Sequence, residues 1–174
     1  MIENEFSRPV RLDILGDAPR RIEIEADEAE RAALARRFGL VAIGRLEAEA
    51  ALTRIGSIVS AEGRLRAEAV QSCVATGNPL PAMIDTAFSL RFVPEEEGEQ
   101  AEEIELSEAD CDVVTYEGGA VDLGEAAAET LALSLDPFPR SSDADAVLKA
   151  AGVLEEGEAG PFGALKALKE KLGE

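Results

Sequence analysis

Apolar and polar positions alternate with a period of two over Arg8 to Leu15 and again over Arg20 to Ala26, with Gly16-Asp17 between them, which predicts a β-hairpin. The period then changes. Asp27 and Glu30 have the spacing of a capping box, Ala33, Leu34 and Phe38 make an apolar stripe, and Gly39 is a stop signal, so a short amphipathic helix is expected. Alternation resumes in Val41 to Ile43, Leu46 to Leu52, Ile58 to Ala61 and Arg64 to Cys73, with Glu62-Gly63 as a turn before Arg64. In that last run Arg64, Arg66 and Glu68 share one side of the strand. After Asn78-Pro79-Leu80-Pro81, a strand from Ala82 to Val93 puts Ile84, Phe88, Leu90 and Phe92 on one face and Asp85, Ser89 and Arg91 on the other.

The later sequence reads as an acidic loop near 95–105, a short strand over Cys111 to Tyr116, and a helical segment spanning 122–172. Within that segment a helix opens at Asp122 and is stopped by Asp136-Pro137-Phe138-Pro139, because proline lacks the amide donor and biases its predecessor out of the helix. A second helix is expected over Ser142 to Ala151. A third, started by Gly160-Pro161, carries the stripe Phe162, Leu165, Leu168 and Leu172. The order of elements predicts an α+β fold: an antiparallel sheet, open or closed into a barrel, with one early helix and helices at the C-terminal end. A chain of 174 residues can bury about 70% of its surface around one core, so residues 1–174 are read as a single domain.

Composition narrows the chemistry. With no histidine the chain lacks the commonest general base, the Ser-His-Asp and Cys-His arrangements, and His-ligated zinc. Alanine occurs 30 times, Phe six times, Tyr once and Trp not at all, so the core should be small and aliphatic. Cys73 and Cys111 are too few for a Cys₄ zinc site or a disulfide framework, which suits a reducing compartment. The first residues lack a basic start followed by an apolar run, and no stretch approaches the ~20 apolar residues of a membrane span; an unexported cytoplasmic protein is the expectation.

The net charge of −19 is unevenly distributed. Residues 1–92 carry 12 Arg against 14 acidic residues, whereas residues 93–174 carry 5 basic and 22 acidic ones, for −2 and −17. Arg64, Arg66, Arg91 and Arg140 are candidate contacts for RNA or a partner, since the guanidinium fork suits phosphate and carboxylate. The glycine pairs match neither a P-loop nor a dinucleotide fingerprint, and Glu95 to Glu103 lacks the spaced aspartates of a calcium loop. Cys73 reads as a small buried hydrophobe; a reactive thiolate there would need a cationic neighbour such as Arg64, Arg66 or Arg91.

Three ordered patterns are more distinctive. The first is Gln71-Ser72-Cys73-Val74-Ala75-Thr76 with Pro79 and Pro81, running into Phe88 to Pro94. The second is Val121-Asp122-Leu123-Gly124-Glu125, then Glu129 to Leu135, closed by Asp136-Pro137-Phe138-Pro139-Arg140. The third begins at Gly160-Pro161-Phe162-Gly163. Together, over roughly Arg64 to Leu172, they resemble the YceD family of large ribosomal RNA subunit accumulation proteins. The resemblance implies accumulation or processing of 23S ribosomal RNA, in the setting of ribosome assembly. Family members can carry Cys-x-x-Cys where this chain has Cys73 and Thr76, with a later cysteine where it has Arg140-Ser141-Ser142-Asp143, so zinc is not carried over and no cofactor is expected.

The expected function is a non-enzymatic assembly factor. Its acidic half would hold a basic ribosomal protein or an assembling large-subunit particle, while its arginine-bearing half would touch RNA. Two alternatives are direct RNA binding through the four arginines and a metal-dependent RNA-processing nuclease. The terminal stripe of Phe162 and its neighbours would be either core packing or a docking element.

Overall fold

The computed structural model describes residues 4–95 and 112–153. They gather into two compact units: the described residues through Gln71 with those of Pro81–Pro137, and Ser72–Leu80 with those from Phe138 onward. The predicted acidic loop, apart from its first residue, and the terminal helix with Pro161 and Phe162 lie outside the described residues.

The larger unit is built on a sheet of β2 (Arg20–Glu25), β3 (Ala42–Ile55), β4 (Ile58–Ser72), β5 (Pro79–Pro94) and β6 (Asp112–Tyr116), hydrogen-bonded in that order. The fold class is α+β, as expected, and the sheet is open, so the barrel alternative does not hold. β2–β3 and β3–β4 are antiparallel, but β5 and β6 run parallel, which makes the sheet mixed.

Two turn signals had other uses. The hairpin expected around Gly16-Asp17 does not form: β1 (Pro9–Arg11) pairs with β7 (Ala120–Asp122), and β2 pairs with β3. A short 3₁₀ turn at Leu12–Ile14 breaks the alternation, and the Val10–Val121 pair buries two apolar side chains that a local hairpin would leave apart. The Glu62-Gly63 turn is also absent, because β4 runs unbroken past it. The real turn is Gly56-Ser57, where Gly56 has φ +64° and the ladder closes at Ile55 opposite Ile58, the geometry of a two-residue hairpin. Gly63 is instead a packing glycine, since a Cβ there would run into the Glu49 carbonyl and the Phe88 ring.

Alternation along β3 and β4 sends Leu46, Ala48, Ala50 and Leu52 together with Val59, Ala61, Leu65 and Ala67 into the core. Helix α1 (Glu28–Arg37) contributes Leu34 and Ala35 to the same core, and α2 (Leu123–Ser134) contributes Leu123, Ala126, Ala127, Ala128 and Leu131. The capping box of α1 is complete: Asp27 accepts from the Glu30 amide and Glu30 accepts from the Asp27 amide. The smaller unit holds α3 (Ala144–Ala150), shorter than the predicted 142–151.

Asp122 ties the ends of the larger unit together. Its Oδ1 accepts from the amides of Arg8 (2.8 Å), Gly124 (3.0 Å) and Glu125 (3.1 Å), and its Oδ2 from the Ser7 hydroxyl (2.6 Å). Burial pushes this carboxyl up, but the donors outweigh it and hold its pKa below the usual range. Leu123 donates to the Arg8 carbonyl, and Glu125 pairs with Arg37, which also reaches Glu5. At Gly124 the N-terminal segment passes so close that a Cβ would strike the Phe6 carbonyl and the Arg8 amide.

Gly124→Ala is expected to cost about 1–3 kcal/mol by overpacking, read as a lower urea midpoint at unchanged slope. Gly16→Ala, where nothing lies within 4 Å, should leave the midpoint nearly in place. Equal midpoints for the two variants would refute the close approach.

Candidate partner-binding face

The sheet face turned away from the core is charged in rows. Register places Glu25 opposite Glu47 and Glu47 opposite Arg66; the next row is Glu23, Glu49 and Arg64. Arg21 lies opposite Ala51, and Arg45 opposite Glu68. Across β2 to β5 this face carries seven carboxylates (Glu23, Glu25, Glu47, Glu49, Glu62, Glu68, Asp85) against five guanidiniums (Arg21, Arg45, Arg64, Arg66, Arg91), a net −2. Two adjoining grooves cross it and share Glu23, Glu49 and Arg64 in their linings.

The structure brings Arg64 and Arg66 together, as their two-residue spacing requires, and each is engaged. Arg64 donates to Asp85, which raises the arginine's pKa and lowers that of the carboxyl. Arg66 lies 3.7 Å from Glu47, 3.8 Å from Asp85 and 3.9 Å from Glu49. Arg45 makes a two-pronged contact with Glu47. These are exposed pairs, worth a fraction of a kcal/mol each, so they neutralise the guanidiniums more than they stabilise the fold. Arg91 is half-buried on β5, on the same face as Asp85, and makes no ion pair among the described residues. Arg140 belongs to the other unit, where it pairs with Asp145 at 2.7 Å.

Most motif residues have structural work. Asp122 and Leu123 are the cap and core residues described above, and Glu129 lies on the exposed side of α2. Pro137 follows the end of that helix, and the Pro139 carbonyl accepts from the Val74 amide at 2.9 Å. Within the smaller unit the loop after β4 folds back on itself: Cys73 donates to the Asn78 carbonyl and accepts from the Gly77 amide, before β5 starts at Pro79.

Cys73 is buried, with 2% of its surface exposed. Its sulfur lies 3.3 Å from the Ser141 hydroxyl and accepts from the Ser141 amide at 3.3 Å. The Ser141 hydroxyl, then the Thr76 hydroxyl and the Ser141 amide, lower the thiol pKa to about 6. The stabilising groups are neutral donors, where the sequence suggested arginines. The three positions that could carry cysteines in the resembling family therefore do meet, but one thiol and two hydroxyls are not a zinc donor set. Among the described residues no group of three or more Cys, Asp or Glu could hold a metal ion, and no helix is long and apolar enough to cross a membrane.

A family model described as large ribosomal RNA subunit accumulation protein YceD matches residues 61–169. No curated protein and no solved structure matches the chain. The matched span begins within β4 and so includes Arg64, Arg66, Cys73 and Asp122, while β1, β2, α1 and β3 precede it.

The thiolate contributes stability in full above the ordinary thiol pKa of about 8.5 and loses that contribution as pH falls through about 6. In a Cys111→Ser background, thiolate absorbance should titrate near pH 6 and shift upward by one unit or more with Ser141→Ala. An inflection already near 8.5 before that change would refute the donor arrangement.

Proposed function

The chain belongs to the YceD family, large ribosomal RNA subunit accumulation proteins, whose role is in large-subunit rRNA accumulation, and on that premise we propose that it acts as a non-enzymatic assembly factor in the cytoplasm. It supports accumulation and processing of 23S rRNA by holding a basic ribosomal protein, free or on an assembling particle. The observation that carries this reading is the outer sheet face, where carboxylates outnumber guanidiniums and Arg64 and Arg66 are already neutralised by Asp85, Glu47 and Glu49. Such a face repels phosphate and attracts cationic protein. The charge of −19 and the absence of histidine support the same reading. Arg91, which has no ion-pair partner among the described residues, favours a secondary RNA contact at the β5 end of the sheet.

Immobilised full-length protein should retain a basic large-subunit ribosomal protein from a purified mixture at about 50 mM salt and release it near 1 M, where the Debye length falls to about 3 Å. Retention should survive nuclease treatment. Naked large-subunit rRNA bound tightly in place of protein, and lost with Arg64→Ala and Arg66→Ala, would establish the direct RNA binder instead. A chain that cleaves precursor rRNA in Mg²⁺ would establish the nuclease.

A further inference from the structure

We propose that the open edge of β2 receives an extended, basic segment of the partner protein as an added strand, with the segment's cations over the paired carboxylates of β2 and β3. This rests on the reading that the partner is a basic protein, and adds to it a place and a mode of binding.

The edge is real in hydrogen-bonding terms. β2 is an outer strand of the sheet and pairs only with β3 among the described residues. In an antiparallel pair, alternate residues exchange both backbone bonds with the partner while the residues between them point both groups away. The Ala26 amide donates to the Leu46 carbonyl, which fixes the phase. Ile24 and Ile22 therefore bond toward β3, and Arg21, Glu23 and Glu25 direct their N–H and C=O groups outward. The Glu25 carbonyl confirms this, because its acceptor is used from outside by Arg8 Nη2 at 3.0 Å. No hydrogen bond reaches the outward groups of Arg21 or Glu23 among the described residues, and both residues are exposed. The unit thus offers the short run of paired donors and acceptors that strand addition uses.

The side chains select what can be added. Glu23 faces Glu49 and Glu25 faces Glu47 directly across the β2–β3 ladder. Like charges so placed destabilise a sheet. Glu47 and Glu49 have arginines on the β4 side, but Glu23 and Glu25 have no cation within ion-pair distance among the described residues. An added strand with Lys or Arg at every second position would place its cations beside these outermost carboxylates. The same carboxylates repel acidic strands and a second copy of this acidic chain, so they serve both as guard and as selector.

The test uses the full chain and a synthetic ten-residue peptide of alternating Lys and Val. A second peptide of the same sequence is N-methylated at every other residue, which keeps its charge and removes its edge-bonding amides. The unmodified peptide should slow amide exchange at Arg21 and Glu23, and the methylated one should bind at least tenfold more weakly. In the protein, Glu23→Pro removes an outward N–H together with the carboxylate, and Glu23→Gln removes the charge alone; neither takes a bond from the ladder to β3, and thermal unfolding verifies the fold. Glu23→Pro should reduce peptide binding at least tenfold, while Glu23→Gln should reduce it less. Equal binding of the two peptides, or protection elsewhere, overturns strand addition. If Glu23→Pro still retains a basic ribosomal protein as well as wild type does, the edge is wrong and the assembly-factor reading stands. If the wild-type chain retains none, that reading falls as well.

Discussion

The larger unit depends on one half-buried carboxylate at the start of a helix. Asp122 caps α2, accepts from the backbone and side chain of the N-terminal segment, and ends the strand that pairs with β1. The neighbours on either side of it are committed by the same junction: Val121 packs on Val10, Leu123 enters the core and bonds the Arg8 carbonyl, Gly124 leaves room for the Phe6–Arg8 backbone, and Glu125 holds Arg37. Each residue of this five-residue motif therefore has a structural role at one junction. The core around it is rich in alanine and poor in aromatics, so packing alone has little excess, and hydrogen bonds to a charged group are each worth about 1.5–3 kcal/mol.

The elements legible in the sequence are those whose whole signal lies within a few residues, whereas strand partners and glycine roles set by distant chain are not. The α1 capping box, the alternation of β3 and β5, and the Asp122 helix start all follow from residues within a few positions of each other. The partner of β1 does not, since Val10 and Val121 are over a hundred residues apart and either half alone looks like half of a local hairpin. Gly63 failed for a related reason: glycine before an alternating run signals a turn, and only the crossing of Phe88 shows that it is there to make space. The pairing of Arg64 and Arg66 on one strand face was legible from spacing. Their neutralisation by Asp85, from another strand, was not.

The charged face also changes the meaning of the arginines. In the sequence, residues 1–92 hold twelve arginines and no lysine, among them Arg64, Arg66 and Arg91 as candidate contacts for phosphate or carboxylate. In the fold, Arg8, Arg37, Arg45, Arg64 and Arg66 each lie against a carboxylate of the same unit. These guanidinium forks are used within the protein, against its own acids, while Glu23 and Glu25 on β2 have no ion-pair partner among the described residues.

The junction at Asp122 has a consequence for how the protein comes into being. The Arg8 amide and the Asp122 carboxylate that it meets are separated by 114 residues. At ordinary translation rates the second is made roughly 6–23 s after the first, whereas a β-hairpin forms in microseconds. The β2–β3–β4 meander can therefore assemble early on the nascent chain, while Phe6 and Val10 wait as unsatisfied apolar surface until residues 121–124 emerge from the exit tunnel. A factor of large-subunit biogenesis would then spend most of its own synthesis as an incomplete core at the mouth of a finished large subunit.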